Sequence, residues 1–326
     1  MRTFGRFLGR VLLVLVVLGL GAWFLVPREH ISVVPTFDET SIGPDVDTYL
    51  ASREMPFSDL TAGVQKRMVW HGAAGDVTPV SIVYVHGFSA TSEEIRPVPD
   101  RVANRLGANL VYTRLQGHGR PGAALAEATA QGWMNDFAEA VEIGRRVGER
   151  VVVMATSTGG TLAAEAALQD ALMEDVAGII FVSPNFAIAD PAAAVLTMPG
   201  ARYWVPRVAG ETRSWEPSNE GHATYWTSSY PTEALFQMAA LVKHAREQDY
   251  SAARVPALFW FSDADSVVDH AVTRDVAVAW GGPAEVSSIT VGAGDDPNAH
   301  VIAGDIMSPG MNDISTEGFI TWINGL

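Results

Sequence analysis

A serine, an aspartate and a histidine follow one another along the chain as Ser157, Asp265 and His300, and together they carry the groups needed for nucleophilic attack on a carbonyl carbon. A serine hydroxyl is a weak nucleophile until a base takes its proton and a carboxylate orients that base. Ser157 stands in Val151-Val152-Val153-Met154-Ala155-Thr156-Ser157-Thr158-Gly159-Gly160, where an apolar run drives into a small-x-Ser-x-Gly turn. Such a turn lifts the hydroxyl off a strand end. It needs small residues two before and two after the serine, because the backbones of strand and helix approach closely there. Ala155 fills the first position in place of the more usual glycine, and Gly159 fills the second.

The acid and the base are expected at later strand ends. After the apolar run Ala257-Leu258-Phe259-Trp260-Phe261 comes Ser262-Asp263-Ala264-Asp265-Ser266-Val267-Val268-Asp269. Asp265 is read as the acid, since burial of Val267-Val268 would pin its loop. Asp263 is the alternative, and Asp269 reads as the N-cap of a helix beginning at His270. A final strand over Ser287 to Val291 opens into the turn-rich Gly292-Ala293-Gly294-Asp295-Asp296-Pro297-Asn298-Ala299-His300, which places His300 as the base. His30 and His71 lie outside the core pattern, His244 precedes the acid and His270 belongs to a helix; His222 is the one rival.

Attack on a carbonyl also needs two N–H groups aimed at the developing oxyanion. One is the N–H of Thr158, next to the nucleophile. The other is expected from Phe88, in the loop after Ser81-Ile82-Val83-Tyr84-Val85, where His86 and Gly87 shape the backbone without transferring protons.

Such groups meet only if strands end side by side. Apolar strand segments at Val80 to Val85, Asn109 to Thr113, Val151 to Met154, Gly178 to Val182, Ala257 to Phe261 and Ser287 to Val291 alternate with helical stretches at Ile95 to Leu106, Trp133 to Gly148, Gly160 to Met173, Glu233 to Glu247, His270 to Trp280 and Thr316 to Ile323. That rhythm predicts an α/β fold: a mostly parallel central sheet with helices on both faces. Between Pro184 and Pro231 the rhythm stops and Tyr203, Trp204, Trp215, Tyr225, Trp226 and Tyr230 accumulate. These aromatics either cover the sheet end or form a small lid, about 185–231, over an acyl or aryl pocket.

The pieces together resemble the α/β-hydrolases, in the branch of monoacylglycerol lipases, lysophospholipases and related carboxylesterases. The resemblance rests on His86-Gly87-Phe88, Gly117-His118-Gly119-Arg120, Ala155-Thr156-Ser157-Thr158-Gly159, Asp265 before Val267-Val268, and His300, across roughly residues 65–326. In that family an Asp-x-Arg usually precedes the Gly-His-Gly loop, whereas here Arg114-Leu115-Gln116 stands there. The departure leaves the triad untouched and loosens the tie to monoacylglycerol substrates. His118 is read as structural. The resemblance implies ester cleavage through an acyl-enzyme with no cofactor. Acyl transfer, or thioester or amide cleavage, by the same triad is the nearest alternative, and a non-catalytic binding protein of the same fold is the rival from another class.

Two decoys are set aside. Gly117-His118-Gly119-Arg120-Pro121-Gly122 matches a dinucleotide-loop spacing, but Pro121 would stiffen the helix start and no ribose-binding acid ends a strand about 20 residues on. The acidic pairs at Asp263, Asp265 and Asp295-Asp296 lack the spacing and bidentate glutamate of a calcium loop, so no metal is expected.

Composition bounds the rest. The chain has 326 residues, 48% hydrophobic and 18% charged, enough for one sizeable core over about 61–326. Arg2, Arg6 and Arg10 precede an uncharged run from Val11 to Val26, which reads as a membrane anchor over 1–30, or as a signal segment if cleaved. The arginines predict that this end stays in the cytoplasm and that the hydrolase domain lies outside, in the periplasm of a bacterium or secreted after cleavage. Residues 31–60 read as a spacer with one short helix near Val46 to Ser52. Residues 1–30 hold four arginines and one glutamate; without them 18 basic residues face 36 acidic ones, a formal charge of −18 that would repel nucleic acid. The chain contains no cysteine, which excludes disulfides and thiolate catalysis. The expected partners are therefore a small-molecule or lipid ester and, through the N-terminal segment, a membrane.

Overall fold

A computed structural model describes residues 2–326. The chain begins with helix α1 (Arg2–Leu25), followed by α2 (Val46–Glu54), strands β1 (Arg67–Val69) and β2 (Ser81–Val85), α3 (Val98–Leu106) and β3 (Asn109–Tyr112). After α4 (Gly122–Leu125) and α5 (Ala130–Val147) come β4 (Val151–Thr156), α6 (Thr158–Ala166), α7 (Asp170–Met173) and β5 (Val176–Val182). There the chain leaves the sheet through α8 (Ala201–Ala209), a ribbon of β6 (Thr212–Ser214) and β7 (Ser229–Pro231) enclosing α9 (Glu220–Tyr225), and α10 (Ala234–Arg246). It returns through β8 (Ala257–Phe261), α11 (His270–Ala279), β9 (Ala284–Ser288) and α12 (Asn312–Ile323).

Seven strands form one sheet in the order β1-β3-β2-β4-β5-β8-β9, with only β1 antiparallel among the described residues. The apolar runs explain the placement. Every residue of β2, β3, β4 and β8 is buried, as a parallel strand covered on both faces requires. One face packs Trp133 and Phe137 of α5, Leu162 of α6 and Leu241 of α10 against Val83, Val153, Phe181 and Phe259. The other packs Val98 and Val102 of α3 and Phe319 and Ile323 of α12 against Ile82, Met154, Ile180 and Trp260. The α/β reading of the sequence is therefore correct, and the carboxyl ends of β2, β4 and β8 come together at one edge.

The structure differs from the expected pattern at several elements. The last strand runs over Ala284–Ser288, earlier than the Ser287 to Val291 expected. As the edge strand it is largely exposed, so its residues carry no apolar run to mark it. The helix expected over Gly160 to Met173 breaks into α6 and α7 after Ala166. The segment 31–60, expected to be a spacer, packs on the domain: Ile42, Val46, Tyr49 and Leu50 join the core, and Glu54 pairs with buried Arg114 at 2.8 Å.

The α1 helix leaves Phe7, Leu13, Val17, Phe24 and Leu25 largely exposed. Among the described residues, however, no helix is long and apolar enough to cross a membrane, so the expected anchor finds no support there. Beyond α1 the chain is tied to the insertion, where Gly200 N–H donates to Pro27 O at 2.8 Å and Arg202 Nε to Glu29 Oε2 at 2.9 Å.

Candidate active site

Ser157 sits at the tip of the sharp turn between β4 and α6, with φ 50° and ψ −116°, a backbone conformation that costs a non-glycine residue about 1–3 kcal/mol. The turn is held from several sides. Ser157 N–H donates to Val182 O of the neighbouring strand at 3.0 Å, and Ser157 O accepts from Asn185 N–H at 3.1 Å. Gly159 explains why the second small position is needed: a Cβ there would lie 2.4 Å from Val85 O and 2.7 Å from His86 O. Ala155 sits fully buried between Val85 and Phe181 on the adjacent strands, where a methyl group fits.

The sequence candidates converge. His300 Nε2 lies 3.1 Å from Ser157 Oγ, and His300 Nδ1 lies 2.8 Å from Asp265 Oδ2. All three residues are buried. Asp265 Oδ1 accepts from the N–H groups of Val267 at 2.8 Å and Val268 at 3.0 Å, which leaves Oδ2 for the imidazole. The loop is thus pinned by the backbone of Val267-Val268 rather than by burial of both side chains, since Val267 is 41% exposed and Val268 is buried. Asp263 instead faces solvent, bonded to Arg274 and Ser288, while Asp269 caps α11 by accepting from Ala271 N–H.

Burial opposes charge on the His300 ring, but the Asp265 carboxylate outweighs it and holds the imidazole above its ordinary value. An imidazolium on this ring is therefore stabilised in place.

Phe88 follows Gly87 at the end of β2, and Thr158 begins α6, where the first N–H groups of a helix have no intrahelical partner. Both residues line a cavity of about 670 Å³ that also contains Ser157 and His300. His86 fastens the loop, accepting from Leu115 N–H at 3.1 Å through Nε2 and bonding Gly87 O at 2.9 Å through Nδ1, so it has no free nitrogen for proton transfer. His118 is buried against His86, Phe88 and Trp133, and burial pulls its imidazole down to about 4. His222 lines the cavity but packs between Trp215 and Trp226, and its Nδ1 accepts from Ser218 N–H. The structure does not bring it to the serine.

Two acidic residues at the site escaped the reading of the sequence. Asp296 accepts from the N–H groups of Asn298, His300 and Val301 at 2.9–3.1 Å and so fixes the loop that carries the base. An aspartate followed by Pro-Asn is a turn signal, and that was its only trace. Glu94 is buried behind Gly87 and lines the same cavity. The loop Arg114-Leu115-Gln116 finds its counter-ion in the presumed spacer, where Glu54 meets Arg114, and Gln116 N–H donates to Asp136 Oδ2 at 2.6 Å.

A family model described as serine aminopeptidase, S33, matches residues 79–286, which contain β2, β3, β4, β5 and β8 of the sheet and both Ser157 and Asp265. The chain belongs to this family. A thermostable monoacylglycerol lipase from Bacillus sp. (strain H-257) is 28% identical over 190 residues, 58% of this chain and 72% of that protein. Among solved structures, a metagenome-derived lipolytic enzyme superposes with TM-score 0.67 at 20% identity, covering 82% of this chain and all of that one. A monoglyceride lipase from Saccharomyces cerevisiae superposes with TM-score 0.58 at 11% identity, covering 80% of this chain and 91% of that one. The solved structures share the α/β-hydrolase fold, and the family match together with the monoacylglycerol lipase relative supports the branch of monoacylglycerol lipases and esterases.

Proposed function

We propose that this serine ester hydrolase works through a two-step acyl-enzyme route in which Ser157, His300 and Asp265 are the catalytic residues. Ser157 Oγ attacks the ester carbonyl while His300 Nε2 takes its proton. The N–H groups of Phe88 and Thr158 receive the oxyanion, His300 returns the proton to the leaving alcohol, and water activated by His300 then releases the acid. Asp265 keeps the imidazole in its working tautomer. The observation that carries this reading is the unbroken run of contacts from Ser157 Oγ through both nitrogens of His300 to Asp265 Oδ2. Ser157→Ala is expected to lower kcat on a p-nitrophenyl ester by roughly 10⁵–10⁶-fold with the fold intact; a variant that keeps full turnover would contradict it.

The proposed substrate is an ester with an apolar acyl group, in the manner of a monoacylglycerol or lysolipid. The insertion over about 185–231 is the proposed lid, because Leu196, Val205, Trp215 and Tyr230 line the cavity beside Ser157, and 670 Å³ is ample for one medium chain. A profile of kcat/KM against acyl length, with matched glycerol and methyl esters, tests this.

Attachment to a membrane through residues 1–30, with the hydrolase domain on the extracytoplasmic side, is the remaining part of the proposal. It is supported by the exposed apolar side chains of α1 and the arginines near its start. Fractionation of the full chain tests it: recovery with membranes after a high-salt wash is expected, and recovery wholly in the supernatant would overturn it.

A further inference from the structure

Glu94 is buried beside the nucleophile and belongs to neither the proposed triad nor the oxyanion pair. Its Oε2 accepts from Gly87 N–H at 2.7 Å and from Tyr84 Oη at 3.1 Å. Tyr84 Oη in turn lies 3.2 Å from Thr156 Oγ1, directly before Ser157. Oε1 has no protein hydrogen-bond partner among the described residues, and Glu94 lines the catalytic cavity. A Cβ built on Gly87 would lie 2.8 Å from Glu94 Oε1 and 3.0 Å from Ser157 Cβ, so the carboxylate and the nucleophile are neighbours separated only by a glycine. The loop of the base is fastened to the same segment: a Cβ on Gly304 would lie 2.7 Å from Glu94 O, and Asp305 N–H donates to Arg96 O at 2.8 Å.

We propose that Glu94 is a positioning residue with two tasks, holding the Gly87-Phe88 oxyanion loop through the Gly87 N–H and supplying a second carboxylate, beside Asp265, to the imidazolium that forms on His300. The proposal rests on the hydrolase reading above.

Three carboxylates act on His300 from different elements: Asp265 after β8, Asp296 in its own loop, and Glu94 after β2. Asp265 and Asp296 are committed to direct hydrogen bonds with the His300 ring and backbone. Glu94 faces Tyr84, the Gly87 N–H and His300; burial pushes its carboxyl up to about 7, while those three groups pull it down. Around neutral pH it therefore answers the charge of the ring. When Ser157 gives its proton to His300, the new positive charge favours ionised Glu94, and when the proton leaves with the alcohol that charge disappears. A carboxylate that only braced the loop would do its work equally well as an amide.

Glu94→Gln separates the two tasks, since the amide oxygen still accepts from Gly87 N–H but carries no charge. Two readouts are compared in the wild type and in Glu94→Gln: titration of the His300 ring by NMR, assigned against His300→Asn, and the pH dependence of phosphonylation of Ser157 by a fluorophosphonate. The proposal expects the ring titration and the acid limb of phosphonylation to move down together by roughly one pH unit, with a several-fold slower plateau rate. Glu94→Ala, which also frees the Gly87 N–H, should be slower still. Unchanged titration and unchanged limb in a folded Glu94→Gln protein would overturn the electrostatic role. The ring titration does not depend on turnover. Absent labelling of Ser157 in the wild type would count against the hydrolase reading, while the NMR shift would still decide the coupling of Glu94 to His300.

Discussion

At the ends of β4 and β8 and in the loop before His300, each proposed catalytic side chain is buried and its loop is pinned by hydrogen bonds; the insertion above them is built the other way. Ser157 is tied to Val182 and Asn185, Asp265 to Val267 and Val268, and His300 to Asp296. In the insertion, β6 is wholly exposed, Tyr203 is 65% and Val208 78% exposed, and Leu196 and Val205 form with Phe236 a small cluster apart from the two main cores, which Phe186 and Trp226 join. In the proposed mechanism the chemistry is carried by the rigid region, where an error of an ångström costs orders of magnitude in rate. On the same reading, substrate choice falls to the region that can change shape or sequence at small energetic cost.

That contrast can be broken at graded points. His300→Ala should lower kcat by roughly 10⁵–10⁶-fold with the fold retained, measured on any turned-over ester. Asp265→Asn keeps the loop but supplies the wrong partner for Nδ1–H, and a loss of about 10⁴-fold is expected. Asp296→Ala leaves three backbone N–H groups near the base without their acceptor. A fall in kcat of about 10- to 100-fold, with a loss of stability of about 1–3 kcal/mol in denaturant unfolding, follows. In the insertion, Leu196→Ala should raise KM for long acyl esters a few-fold while kcat for a short ester stays within about twofold. If Leu196→Ala matched Asp296→Ala in kcat on a short ester, the division of labour would be wrong.

The pH dependence sharpens the same contrast. In the proposed mechanism His300 must be neutral to take the serine proton; burial lowers its pKa, but the Asp265 carboxylate outweighs that and raises it. Activity should therefore fall as pH drops through a value above that of an ordinary histidine, because the protonated ring cannot act as a base. In Asp265→Asn the limb should move to lower pH. A limb common to both proteins would show that another group controls it.

The buried parallel strands and their end loops were legible from Val151 to Gly160 and from Ala257 to Val268, because continuous apolar runs and turn residues report burial locally. Distance along the chain hid the rest. Nothing near Glu54 announces that it will pair with Arg114, sixty residues on. Glu94 reads as one of two adjacent surface acids until the fold closes β2, β4 and the His300 loop around it. The edge strand Ala284–Ser288 lacks an apolar signature because half its surroundings are water. The ribbon of β6 and β7 is too short for an alternating pattern to be recognised. The N-terminal run shows the converse: a strong local hydropathy signal over Val11 to Val26, with no described helix that meets the requirements of a membrane span.

The central claim is that Ser157 carries the acyl group between the two half-reactions. Acid quenching during turnover of a slowly deacylating p-nitrophenyl ester, followed by peptide mass spectrometry, tests it directly. The account predicts the acyl mass on the peptide containing Ser157, and its absence from Ser157→Ala. An adduct on another residue, or full turnover by Ser157→Ala, would contradict it.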